Sequence, residues 1–99
     1  MLRTCNAKTV EGEPVRLWIE DLGRVMRKDY KFVLRIRFSK DGVNFIESDT
    51  PCSSKIPRRF GKQHLEELSR SGKNDIEALK SIGVVFDSID FDSVERVES

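Results

Sequence analysis

Histidine occurs once, cysteine twice and proline three times in these 99 residues, and the first two scarcities remove whole chemistries. A serine or cysteine nucleophile needs a positioned base, most often histidine. His64 sits in Gln63-His64-Leu65-Glu66-Glu67, a presumed helix, and would meet Cys52 only through an accident of tertiary structure. The expectation is a chain without catalytic residues, not an enzyme. A structural zinc site wants four Cys/His-type ligands at short spacings. Cys5, Cys52 and His64 are strung out along the chain instead. The acidic residues Asp87, Asp90, Asp92 and Glu95 lack the glycine and ligand spacing of an EF-hand loop. Neither a Walker-type phosphate loop nor Gly-x-Gly-x-x-Gly occurs. No metal and no cofactor are expected.

Long apolar runs are missing as well. None approaches the roughly 18 residues a spanning helix needs, and Met1–Val10 lacks the apolar centre of a signal peptide. The expected location is cytoplasmic, with no membrane partner. There Cys5 and Cys52 are expected as reduced thiols. A disulfide becomes feasible only if the first strand lies beside the segment after Ser48.

What is present is charge. Charged residues make up 35% of the chain and apolar ones 37%, enough for one modest core beneath a charged surface. The net charge of +1 hides an asymmetry. Residues 1–60 hold 13 Lys/Arg against 8 Asp/Glu, or +5, and residues 61–99 hold 5 against 9, or −4. Such a split fits a basic binding surface, or two halves that attract each other.

The clearest pattern runs from Tyr30 to Ser48. Tyr30, Phe32, Leu34, Ile36 and Phe38 alternate with Lys31, Val33, Arg35 and Arg37. A period of two is that of a strand with one apolar and one basic face. Ser39-Lys40-Asp41-Gly42 supplies turn chemistry, and Val43 and Phe45 open a returning strand.

The other elements are arranged around this hairpin. Leu2–Val10 reads weakly as a strand, and Val15, Leu17 and Ile19 alternate with Arg16, Trp18 and Glu20 as a stronger one. Pro14 suits a strand opening but not a strand centre. Asp21–Asp29 reads as a long loop, with Arg24–Met26 able to continue the strand. The two prolines of 51–57 mark a crossover. A helix over Arg58–Ser71 and a second over Asn74–Ile82 follow, the latter opened by an Asn74/Glu77 capping pair. Residues 84–91 look extended, and 92–99 form an acidic tail that could fray. The result is a single α+β domain, 1–99: a curved antiparallel β-meander of four to five strands (1–50), then loop and helices (51–83) on one face. Its expected core is Leu17, Ile19, Phe32, Leu34, Ile36, Phe38, Phe45, Leu65, Leu68, Ile76, Leu79 and Phe86.

Only the outer sheet face is marked for a partner. Arg16, Trp18, Lys31, Arg35 and Arg37 share it if both strands bury their apolar sides in one core, and Lys40, Arg58 and Arg59 would extend it, whereas Glu20, Glu47 and the acidic C-terminal segment would cover or neutralise it. Two readings follow. A protein-binding module, such as a small adaptor, inhibitor or mobile-element accessory factor, would use Trp and Arg as interface anchors. A binder of single-stranded DNA or RNA would track phosphates with the cations and stack bases on Trp18. A DNA-reading helix after Gly72 fits poorly, because Asp75 and Glu77 would repel phosphate. Exposed sheet edges would also permit a homodimer.

Overall fold

The two-residue alternation is realised as one antiparallel sheet. The computed structural model describes residues 2–26, 32–51 and 73–97. Strand β1 is Leu2–Lys8, β2 Pro14–Met26, β3 Phe32–Ser39, β4 Ile46–Pro51 and β5 Asp90–Arg96. Helix α1 is Lys73–Ser81, and Phe86–Ser88 form a short 3-10 turn. The spatial order is β4-β3-β2-β1-β5. The first four strands are therefore a meander, and the chain returns to lay β5 beside β1. This is the α+β architecture that the pattern implied.

Leu17, Ile19, Leu34, Ile36, Phe38 and Leu79 are buried as expected. Cys5, Ala7, Ala78, Val84 and Ile89 complete the core, and Phe86 packs against it from a half-buried position. Complete burial of side chains such as Phe38 or Ile36 contributes about 2 kcal/mol each. Phe45 corrects the expected list. It lies on the opposite side of the sheet, beneath the Arg37 guanidinium. Ile76 is only half-buried and lines a surface cleft. The expected helix over 58–71 with His64, Leu65 and Leu68 lies outside the described residues. So do Lys31, Cys52, Arg58, Arg59 and the side chain of Phe32.

Three boundaries differ from the sequence reading, and the simplest is the returning strand, which opens at Ile46 rather than at Val43. The stretch after Asp21 is not a loop, because β2 continues to Met26. Leu22 and Gly23 both stand opposite Arg35, a β-bulge between the Asp21–Ile36 and Arg24–Leu34 pairs. Gly23 takes φ of 78° there, a region closed to most side chains, and donates its N–H to Asp21 Oδ1 at 2.7 Å. The extra residue resets the alternation and puts Val25 opposite Val33.

The fifth strand begins later than 84 and takes in most of the expected acidic tail. Val84 makes only an isolated bridge to Thr9, and the ladder proper spans Asp90–Arg96. Serine hydroxyls fix this segment. Ser88 Oγ accepts the Lys8 N–H at 2.8 Å, and Ser93 Oγ accepts the Asn6 N–H at 2.8 Å. They stand in for backbone acceptors where the β1–β5 register shifts.

Helix α1 packs over β4. Asp75 lies in its first turn, where the helix dipole favours a carboxylate. It is 1% exposed and accepts a hydrogen bond from Ser48 Oγ on β4. Leaving a buried polar group without its hydrogen-bond partner costs about 1–3 kcal/mol. Ser48→Ala is therefore expected to lower unfolding free energy by about 2 kcal/mol in a urea titration. A change below about 0.5 kcal/mol would show that this contact does not hold α1 to the sheet.

Candidate functional site

The strand register assembles the face that the sequence marked. Thr4, Trp18 and Ser39 stand in one row across β1, β2 and β3, and Glu20, Arg37 and Glu47 in the next across β2, β3 and β4. Arg16 faces Asn6, and Arg35 faces Asp49. These side chains point away from the Leu17/Ile19 and Ile36/Phe38 core by simple alternation. Arg16, Trp18, Arg35 and Arg37 thus share one surface, and Lys40 stands exposed on the turn beside it.

Each arginine on this face is already engaged. The Arg16 guanidinium donates to Asn6 Oδ1 and Thr4 Oγ1, both at 2.8 Å, and to Glu95 Oε2 at 3.1 Å. Arg35 makes a two-pronged pair with Asp49, Nε to Oδ1 at 2.8 Å and Nη2 to Oδ2 at 3.0 Å. That hydrogen bond and charge push the Arg35 pKa further up. Arg37 Nη2 donates to Glu20 Oε2 at 3.0 Å, and its carbon Cζ lies 4.5 Å from the Phe45 ring centroid. Its Nε is buried without a hydrogen-bond acceptor, so the ring face offsets part of that loss.

Glu95 and Glu47 reach further into solvent than Arg16 and Arg35. Arg37 and Arg35, however, are slightly more exposed than Glu20 and Asp49, and Lys8 and Lys40 are exposed cations. Side-chain exposure is 74% for Glu95 and 56% for Glu47, against 36% for Arg16 and 32% for Arg35. Among the described residues of this face, Lys8, Arg16, Arg35 and Arg37 stand against Glu20, Glu47, Asp49, Asp90 and Glu95, four cations to five carboxylates. Sequence reasoning named Glu20, Glu47 and the acidic C-terminal segment as neutralising residues, and it missed Asp49.

The β3–β4 turn folds over the middle of the face. Gly42 adopts φ of 77°, and a Cβ there would lie 3.1 Å from Trp18 Cε2, so only glycine lets the turn rest on the indole. Asp41 pins the turn. Its carboxylate accepts from the N–H groups of Asn44 and Val43, the Asn44 amide and the Ser39 hydroxyl, which holds it well below the usual carboxylate range. Val43 at the tip is 78% exposed. Towards the other end Val33 is 1% exposed, although it stands on the side opposite the core.

Elsewhere, a cleft of about 430 Å³ lies between α1 and residues 84–87. Val10, Ile76, Val84, Val85 and Phe86 line it, with Lys80 and Asp87 as its ionisable residues. That lining contains no nucleophile with a base. Among the described residues, no group of three His, Cys, Asp or Glu could hold a metal ion. Cys5 is a free thiol with no exposed surface, and burial pushes it from 9.0 up to about 11. Arg16 pulls it down and Asp90 pushes it up by smaller amounts. A thiol so protonated is a poor nucleophile. No protein-family model matches the chain, and neither a curated protein nor a solved structure does.

Two outcomes are expected. Gly42→Ala combines a strained φ with a clash on Trp18 and should cost about 1–3 kcal/mol in chemical denaturation, with a shift in the emission of Trp18, the one tryptophan in the chain. A neutral result would mean that the turn does not rest on the indole. The Cys5 thiol ionises later in the folded chain than in the unfolded one. Its contribution to stability is thus intact below pH 9.0 and lost as pH rises towards about 11. Urea titrations across that range should show a steeper alkaline loss for the native sequence than for Cys5→Ala, and equal slopes would contradict the burial.

Proposed function

We propose that this chain is a non-catalytic protein-binding module whose contact surface is the outer face of the sheet. The observation that carries the reading is the engagement of Arg16, Arg35 and Arg37 by Glu95, Asp49 and Glu20. A phosphate backbone gains affinity by pairing with cations and releasing counterions. Here a phosphate approaching Arg16, Arg35 or Arg37 would first have to displace a carboxylate, and the exposed charge it meets includes Glu47 and Glu95 beside Lys8 and Lys40. A protein partner can also use apolar contact with Trp18 and Phe45, which needs no such exchange. Interfaces combine aromatic and arginine anchors with a polar rim, and Trp18, Phe45 and Arg37 are surrounded here by carboxylates. The exposed Val43 adds an apolar contact at the turn.

The experiment is affinity capture from native cells with and without nuclease, using the native chain and the pair Arg35→Ala/Val43→Asp. Neither side chain is buried, so the variant should keep the fold. Nuclease-resistant capture that the variant loses is the expected result. Capture abolished by nuclease, or an unaltered set of captured proteins with the variant, would overturn the reading.

A further inference from the structure

Resting on that reading, we infer that the partner accepted by the outer face is basic: a protein segment carrying two groups of Lys or Arg, one for each edge of the sheet. The exposed carboxylates are not spread evenly. Glu47, with Asp49 beside it, stands on β4 at one edge, and Glu95 stands on β5 at the other. Between them lie the engaged arginines, Trp18 and Phe45. Glu95 and Glu47 keep 74% and 56% side-chain exposure while paired with Arg16 and Arg35, so each edge of the described sheet still offers a carboxylate to solvent.

The strand order fixes the spacing. From β4 to β5 there are four interstrand steps of about 4.8 Å. Glu95 is level with Trp18 and Phe45, two residues along from the Glu47 row. With about 3.3 Å per residue along the strands, the two acidic positions are about 20 Å apart. An extended segment covers that distance in about six residues, and a helical one in about thirteen. A segment seated this way crosses the Trp18 and Phe45 region, where apolar contact is available, and presents a cation at each end. Like-charged partners are disfavoured by the same arrangement, which gives the surface selectivity as well as attraction.

The test uses the full chain and synthetic peptides. One carries Lys-Arg pairs about six residues apart around an apolar centre, a second has the same composition with all cations adjacent, and a third replaces the cations by glutamate. An oligothymidylate is the fourth probe. Trp18 emission reports occupancy of the face, because the chain holds one tryptophan. The spaced basic peptide should bind, shift the emission, and weaken about tenfold between about 50 and about 300 mM salt. Glu47→Gln/Glu95→Gln should abolish that binding, and neither the clustered nor the acidic peptide should match it. Failure of the spaced peptide, or indifference to Glu47→Gln/Glu95→Gln, would overturn the basic-partner inference. Nuclease-resistant capture that Arg35→Ala/Val43→Asp loses would then leave the protein-binding reading intact. Salt-sensitive binding of oligothymidylate in place of the basic peptide would overturn both.

Discussion

One constraint governs this sheet: the centre of the side of β2 and β3 that faces α1 is closed by packed apolar side chains. Leu17, Ile19, Ile36 and Phe38 have at most 1% exposure, so Arg16, Trp18, Glu20, Arg35 and Arg37 are forced to the other side by the period of two. Register then decides which of them meet. A slip of one residue between β2 and β3 would turn Phe38 and Ile36 outward and bury arginines, at a cost no surface pair could offset. The pairs on the outer face are consequences of that register. Exposed ion pairs contribute little each, and the fold does not depend on them. What they determine is which charge a visitor meets.

That distinction changes the functional meaning of the arginines. A row of Arg on an alternating strand looks like a track for an anion. Once Asp49 grips Arg35 with both oxygens and Arg16 is shared among Asn6, Thr4 and Glu95, those cations are components of the surface rather than free attractors. Their hydrogen bonds hold them flat, half-buried, with more exposed carboxylates beside them. Paired polar groups around Trp18 and Phe45 lose little conformational freedom when a partner seats. The geometry of the face favours recognition of a complementary protein surface over retention of a phosphate chain.

Much of the fold was legible because it rests on local pattern. The β2 and β3 alternation, the Gly42 turn, the strand opening at Pro14 and the helix after Lys73 all follow from neighbours within a few residues. Membership of the outer face was legible for the same reason. Glu20, Glu47 and the acidic C-terminal segment were legible as opposing charge, but which carboxylate meets which arginine was not. Asp49 meets Arg35 through a hairpin connection of six residues, Lys40–Phe45, too long for turn type to fix the register. Glu95 meets Arg16 across a separation of 79 positions. Phe45 looked like core because the connection obscures its parity: opposite Ser39, it must point outward with Arg37. The bulge at Leu22–Gly23 hid β2's continuation in the same way, since one inserted residue breaks the alternation by which a strand is recognised.

The β5 edge bears on whether strand addition, rather than the face, serves as the contact. Strand β5 is not held to β1 by Arg96, which stands directly opposite Arg3 with Asp21 offsetting the like charge. It is held instead by Ile89, Phe91 and Val94 against the core and by the Ser93 hydroxyl on Asn6. The price is an irregular ladder: between the Asn6–Asp90 and Thr4–Glu95 pairs the register shifts, and Asp90 Oδ1 takes the Asp92 N–H for itself. An edge broken by a bulge and lined with Asp90, Asp92 and Glu95 is a poor template for another strand. Backbone pairing at that edge is therefore disfavoured by the same residues that make its outer side acidic. A partner approaching β5 is directed to side-chain contact with Glu95, and from there onto the face.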